Sequence, residues 1–298
     1  MSLFDQLVEE ALRSEQGLSP LRVVVEKELL HHDILREMSR AGLLAKLTFM
    51  GGTCLRSCYG SSRLSEDLDF TGGADFSRES LSALAGVLTE HLQRKYGLNV
   101  VVSEPARETG NVDTWRLKLQ TRPGQRDLPA QRINIDICTV PSYQPRPMML
   151  RNFYGVDMGT NGLIMQAESR EEILADKLIA FALRPNRLKN RDLWDIAWLK
   201  QQGIVLPLDL LPRKLGDHHC SPQRFIELLE AREQELLDAP ETHTAFREEM
   251  RRFLPAAVVA ETVDNPDFWI YLTTLVSAET RRARRHVEGD DVAPTFRM

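Results

Sequence analysis

This 298-residue chain has little cysteine and no long apolar run, and both absences set limits. Its four cysteines, Cys54, Cys58, Cys138 and Cys220, form no CxxC and have no metal-like spacing with histidine. That argues against a disulfide framework and for free thiols in a reducing compartment. His218-His219-Cys220 is a lone cluster and reads as loop rather than as a zinc site. The longest unbroken apolar stretch of the second half, Leu178 to Leu183, is far too short to span a bilayer. The opening residues, MSLFDQLVEEALRSEQ, are acidic and lack the apolar core of a secretory signal. We therefore expect a cytoplasmic protein with no membrane partner. A net charge of −5 argues against a surface that binds nucleic acid everywhere, but leaves room for a local basic patch. Two runs qualify: Arg184, Arg187, Lys189 and Arg191, then Arg281, Arg282, Arg284 and Arg285, the second also reading as a solvated helix end.

What is present is an ordinary globular balance, 42% hydrophobic and 27% charged, with no repeat or low-complexity tract. Between Pro20 and Leu44, Val24, Leu29, Leu30, Ile34, Leu35 and Met38 recur at helical spacing, with Gly42 as a stop. KLTFM reads as a short strand ending at Gly51-Gly52, and Thr53 is placed to cap a short helix that Gly60 ends. DLDF reads as a second strand, and Ser80 to Tyr96 as an amphipathic helix. LNVVVS, TWRLKLQ and RINIDICTV are strand candidates. A linker with Pro123, Gly124 and Pro129 suits a hairpin loop between the last two, and Pro141, Pro145 and Pro147 close the region. Past Gly162 only helices are expected. Ser169-Arg-Glu-Glu172 is a capping box opening a helix that Pro185 stops, and Asn190 is placed to cap the next, which ends at Gly203. Further helices are predicted over 222–237, 242–254 and 266–286. The order suggests a lobe of mixed helices and strands, then a helical lobe, with a boundary near 155–168.

The stretch FMGGTCLRSCYGSSRLSEDLDF, Phe49 to Phe70, concentrates the chemistry. Acid-x-acid pairs recur by chance in a chain with 43 acidic residues, so the setting matters more than the pattern. In a strand Asp67 and Asp69 share one face, with Cα atoms about 6.6 Å apart. That spacing lets two carboxylates converge on one hard cation or bridge two. Asp136, opposite in phase to Ile133, Ile135 and Ile137, offers a third carboxylate if its strand pairs beside the first. Like charges so close call for a counter-ion, and Mg²⁺ is the natural resident. Gly51 and Gly52, leading into a helix, offer backbone N–H groups to phosphate, and the Thr53 hydroxyl adds a donor. Metal and phosphate would then meet on one nucleoside triphosphate. A tight turn followed by an acid-rich surface strand is the plainer alternative.

This stretch resembles the opening motif of the nucleotidyltransferase toxins of the AbiEii/AbiGii abortive-infection family, within the polymerase-β-like nucleotidyltransferase superfamily. The resemblance continues through RINIDI and EEILADKLIAFALRPNRLKNRDLWDI and covers most of residues 20–200. It implies an α+β protein: a polymerase-β-like lobe with a mixed sheet over 1–165, then an α-helical lobe over 166–298 that completes the active-site cleft. It also implies that Asp67 and Asp69 bind metal, that Asp136 prepares the acceptor hydroxyl, and that Gly51, Gly52 and Thr53 form the triphosphate turn. Lys177 resembles a phosphate-contacting lysine and Asp192 a further required acid. Arg63 and Ser65 fall at motif positions suited to phosphate contact or to bracing the loop. Without the resemblance, Lys177 reads equally as a snorkelling lysine, and Asp192 as an acid favoured by the first turn of a helix. The implied activity is transfer of an NMP from an NTP to an acceptor hydroxyl, with two Mg²⁺ ions. A transfer-RNA 3′ end or other RNA is the implied acceptor, and a co-encoded antitoxin protein the implied partner. A nucleotide-binding or protein-interaction module without turnover is the competing reading, as is nucleotidylation of a small molecule or protein.

Overall fold

The computed structural model describes residues 2–14, 17–105, 111–122, 130–185 and 187–289; the expected loop through Pro123, Gly124 and Pro129 lies outside them. The chain divides into two compact units. The first runs to Glu168 and includes Arg252–Ala256; the second comprises Ser169–Arg251 and the residues from Ala257 onward.

The first unit opens with α1 (Leu3–Ser14) and α2 (Arg22–Arg40), followed by β1 (Thr48–Met50). Next come α3 (Gly51–Cys54), a π-helical turn over Leu55–Tyr59, β2 (Leu68–Thr71) and α4 (Leu84–Tyr96). The remaining strands are β3 (Asn99–Ser103), β4 (Val112–Gln120), β5 (Gln131–Cys138), β6 (Pro145–Met149) and β7 (Ile164–Glu168). All seven join one mixed sheet in the order β3-β4-β5-β2-β1-β7-β6. β2 runs parallel to β5 and β1 parallel to β7, while the other neighbours are antiparallel. This agrees with the α+β expectation.

Alternation assigns the faces. Trp115, Leu117, Leu119, Ile133, Ile135 and Ile137 are buried together with Leu68 and Phe70, and α2 and α4 pack on β5 and β3. Phe49 and Phe70, partners across β1 and β2, have ring centroids 5.1 Å apart. Each such buried ring contributes about 1.5–3 kcal/mol of transfer free energy.

Gly42 stops the helix after Pro20 as expected, with a left-handed φ of +73° two residues past Arg40. Three local expectations need correction here. The helix expected from Ser80 begins at Leu84, because Arg78–Leu81 winds as a tighter 3₁₀ turn. Thr53 does not cap its helix: Met50 holds the extended cap position and Thr53 lies inside. Pro145 and Pro147 do not end the sheet region but form part of β6. Proline cannot donate to a ladder, and β6 is the last strand of the sheet, so one of its edges needs no donor. The expectation of helices alone past Gly162 is overturned by β7, which pairing with β1 and β6 holds in the sheet, and α1 forms over residues for which no element was expected.

The second unit holds α5 (Arg170–Leu183), α6 (Asn190–Gln201), α7 (Leu210–Asp217) and α8 (Pro222–Asp238). It ends with α9 (Pro240–Met250), α10 (Ala256–Glu261) and α11 (Pro266–Glu288). The capping box forms as expected, with the Ser169 hydroxyl accepting from the Glu172 N–H at 3.1 Å. Asn190 is the first residue of α6 rather than its cap, and its amide donates to Glu249 Oε2 at 2.9 Å. The Arg281–Arg285 run does not fray: Arg281 and Arg284 reach Glu233 and Glu230 of α8 at 3.3 and 2.7 Å. Among the described residues, no helix is long and apolar enough to cross a membrane.

Candidate active site

The site in the first unit follows from strand register. β1 delivers Met50 opposite Asp69, and β2 delivers Asp69 directly beside Asp136 of β5. Residues paired across neighbouring strands point to the same face, about 4.7–4.9 Å apart. Asp67 sits one residue before β2, so it is not a strand residue as expected, yet its Oδ1 accepts the Asn134 N–H at 2.9 Å. Asn134 lies two residues before Asp136, so Asp67 is tied from just before β2 to the strand that carries the third acid. The turn after β1 closes on them. Gly51 adopts φ +73°, and a β-carbon there would lie 2.7 Å from Asp69 Oδ2. The glycine is required both by the backbone conformation and by the carboxylate.

Thr53, Arg63 and Ser65 are all buried. The Thr53 hydroxyl donates to the Asp67 carbonyl and shares a 2.7 Å hydrogen bond with the Ser65 hydroxyl. Arg63 Nη1 donates to the Leu64 carbonyl at 3.0 Å. In this structure the three residues brace the segment leading to Asp67.

That segment is clamped onto α2 by residues the sequence reading did not single out. Ser65 N–H donates to Glu28 Oε1 at 2.8 Å, Lys27 pairs with Glu66 at 2.8 Å, and His31 Nε2 lies 3.0 Å from the Glu66 carbonyl. Burial pushes the His31 imidazolium pKa down to about 4, so the ring is neutral at pH 7 and can donate Nε2–H to that carbonyl. Glu28 also accepts from Arg56 Nε at 3.2 Å and from the Tyr154 hydroxyl, and all three side chains are buried. The Arg56 guanidinium stacks 4.0 Å from the Phe153 ring centroid. The only sequence signal was a crowd of polar residues on a helix with an obvious apolar stripe.

In the second unit, Lys177 and Asp192 come together at 2.6 Å, and Lys177 also reaches Asp195 at 2.8 Å. Arg184 Nε stands 3.1 Å from the other oxygen of Asp192. Burial pushes the Asp192 carboxyl pKa up, but Lys177, Arg184 and Lys189 outweigh it and hold it at about 2. Burial lowers Lys189 to about 8 against the opposing pull of Asp192. Arg191 pairs with Glu249 at 3.3 Å. Three members of the first basic run thus face carboxylates of their own unit. Trp194 is buried against Phe268, with centroids 5.6 Å apart.

The donor chemistry at Asp69 and Asp136 fits a hard cation. Mg²⁺ takes one or two carboxylates and completes its octahedron with water and substrate phosphate. Among the described residues, no three His, Cys, Asp or Glu side chains form a ready ligand set. The fit is therefore to an ion completed by substrate, with Gly51 leaving open the space beside Asp69 that a β-carbon would fill.

The profile of the family described as "Nucleotidyl transferase AbiEii toxin, Type IV TA system" matches residues 33–274. Among solved structures, the fold is similar to MenT4, a nucleotidyltransferase toxin from Mycobacterium tuberculosis H37Rv. That likeness has a TM-score of 0.53 at 17% identity, covering 96% of this chain and 97% of that one. JHP933 from Helicobacter pylori is similar at a TM-score of 0.46 and 15% identity, over 89% of this chain and 95% of that one. Among curated protein sequences no relative matches.

Proposed function

The chain belongs to the AbiEii nucleotidyltransferase toxin family of type IV toxin–antitoxin systems, and we propose that it moves an NMP from an NTP to the 3′ hydroxyl of an RNA, with transfer RNA the first candidate. The observation that carries this reading is the parallel register that sets Asp69 beside Asp136, with Asp67 just before β2 and hydrogen-bonded to the Asn134 N–H of β5. Asp67 and Asp69 would hold Mg²⁺ on the triphosphate side, and Asp69 and Asp136 on the acceptor side. When bound, the metal supplies charge neutralisation for the phosphates and a lowered pKa for the acceptor hydroxyl.

The chain's own residues do the positioning. Gly51, Gly52 and Thr53 begin the helical segment after β1, where backbone N–H groups can receive phosphate oxygens. Asp136 would accept the proton of an incoming hydroxyl. The hydrogen bonds of Thr53 and Ser65 hold the Asp67 backbone in place, so that little reorganisation is needed when substrate arrives. Within the second unit, Asp192 and Asp195 fix the position of the Lys177 ammonium. A cognate antitoxin would restrain the activity in the cell.

The test is incubation with each labelled NTP, Mg²⁺ and total RNA. Covalent label on RNA is expected from the wild type, and none from a folded Asp69→Asn variant. Full labelling by that variant, or saturable NTP binding without product in the wild type, would remove the proposal.

A further inference from the structure

The face of the sheet that carries Asp69 and Asp136 continues outward over β4 and β5. Along β5, Arg132, Asn134 and Asp136 share that face; along β4, Thr114, Arg116 and Lys118 do. The antiparallel register sets Thr114 opposite Asp136, Arg116 opposite Asn134 and Lys118 opposite Arg132. Arg116, Lys118 and Arg132 are all exposed. The hydrophobic core lies on the other face, under Trp115, Leu117 and Ile133. The face is thus graded in charge. Carboxylates stand at one end, and cations begin one alternation further along β4, at Arg116, and two along β5, at Arg132.

Two features single this strip out. Lys118 and Arg132 are directly opposed like charges, an arrangement that weakens a strand pair. Among the described residues no carboxylate forms an ion pair with either one. Secondly, the strip sits in a protein whose net charge is −5, so it is not part of a generally basic surface. At strand rise, Arg116 is about 7 Å and Lys118 and Arg132 about 13 Å along the strands from the Asp136 row.

We propose that Arg116, Lys118 and Arg132 form the track for the phosphodiester backbone of the acceptor RNA strand, whose 3′ end then lies at Asp69 and Asp136. The inference rests on the RNA acceptor proposed above. A strand leaving the acids passes over Arg116 first and over the Lys118–Arg132 pair next. Its phosphates relieve the repulsion between the two cations, and the contacts are to backbone, so they position the strand without selecting its sequence.

The experiment is fluorescence anisotropy with a short 5′-labelled single-stranded RNA and the full chain, without NTP, between 50 and 200 mM salt. The Lys118→Gln/Arg132→Gln double variant should bind at least about tenfold more weakly. Its salt slope should be lower by about 1.4, roughly 0.7 for each lost phosphate contact on a single strand. Lys46→Gln, an exposed lysine elsewhere in the same unit, should bind as the wild type does. The double variant should melt no lower than the wild type, since it loses a repulsion. Unchanged affinity and slope in the double variant, absence of RNA binding by the wild type, or tighter binding of a DNA of the same sequence would each overturn the assignment. Binding is read without turnover, so a wild type that binds RNA through this strip yet labels none would refute the transfer reaction and leave the track standing.

Discussion

A β-carbon on Gly51 would stand 2.7 Å from Oδ2 of Asp69, closer than any side chain permits. The turn after β1 and the carboxylate of β2 are therefore fitted to one another. Gly42 has the same φ of +73° but nothing within 4 Å of its absent β-carbon. The two glycines separate backbone strain from the contact with Asp69. Gly51→Ala and Gly42→Ala should each lose about 1–2 kcal/mol in urea unfolding from the left-handed backbone alone. Only Gly51→Ala should also lose nucleotidyl transfer, by about 100-fold, because it displaces the acid. Equal activity losses in the two variants would mean that the Asp69 contact is irrelevant.

Adjacent carboxylates should make stability sensitive to divalent ions. Mg²⁺ at 100 times its dissociation constant should raise the unfolding free energy of the wild type by about 2.7 kcal/mol. The Asp69→Asn variant should respond much less. Thermal melts across a Mg²⁺ titration check this, and a wild type whose melting ignores the ion would count against metal at this site.

Glu28 holds Ser65 N–H and Arg56 in a buried cluster. Glu28→Ala leaves a buried guanidinium without its partner and should cost about 3–5 kcal/mol. Glu28→Gln keeps an acceptor for Ser65 N–H and should cost less. Urea unfolding of both variants decides the matter; a loss below about 1 kcal/mol in the alanine variant would show that the cluster does not carry the segment.

His32 should confer a pH dependence on stability. Burial lowers its pKa from 6.5 to about 4, and its Nδ1 lies 2.9 Å from the Thr160 hydroxyl. As pH falls below 6.5, the unfolded chain binds a proton that the folded chain refuses until about pH 4. The stability is fully present above pH 6.5 and is lost across that window, by about 3 kcal/mol. His31 acts in the same direction. Unfolding free energies from pH 7.5 down to 4 should fall less steeply in His32→Gln than in the wild type, and parallel curves would assign the effect to other groups.

Much of the site was legible along the chain because its signals are local. Strand alternation alone puts Asp67 in phase with Asp69, and Asp136 in phase with Asn134 and Arg132. The Ser169 capping box needs only four consecutive residues, and Gly51 announces a backbone that other residues resist. The family resemblance and the family match then agree on the reaction class. Misplaced starts and caps, at Ser80, Thr53 and Asn190, came where a tighter turn or a neighbouring residue competes for the same role.

Other features waited for long-range contacts. Nothing in the local pattern says that β2 runs beside β5 in parallel with Asp69 at Asp136, since many registers satisfy the same alternation. Nothing told that a Pro-x-Pro segment becomes an edge strand, because the tolerance depends on having no neighbour on one side. The Glu28 clamp, the Lys177–Asp192 pair and the opposed Lys118 and Arg132 join residues 14 to 126 apart that share no periodicity. Alternation and capping act over a few residues and can be read from them. Pairing between distant segments is decided by which whole arrangement buries the apolar face and still satisfies every buried charge, and that choice exists only in three dimensions.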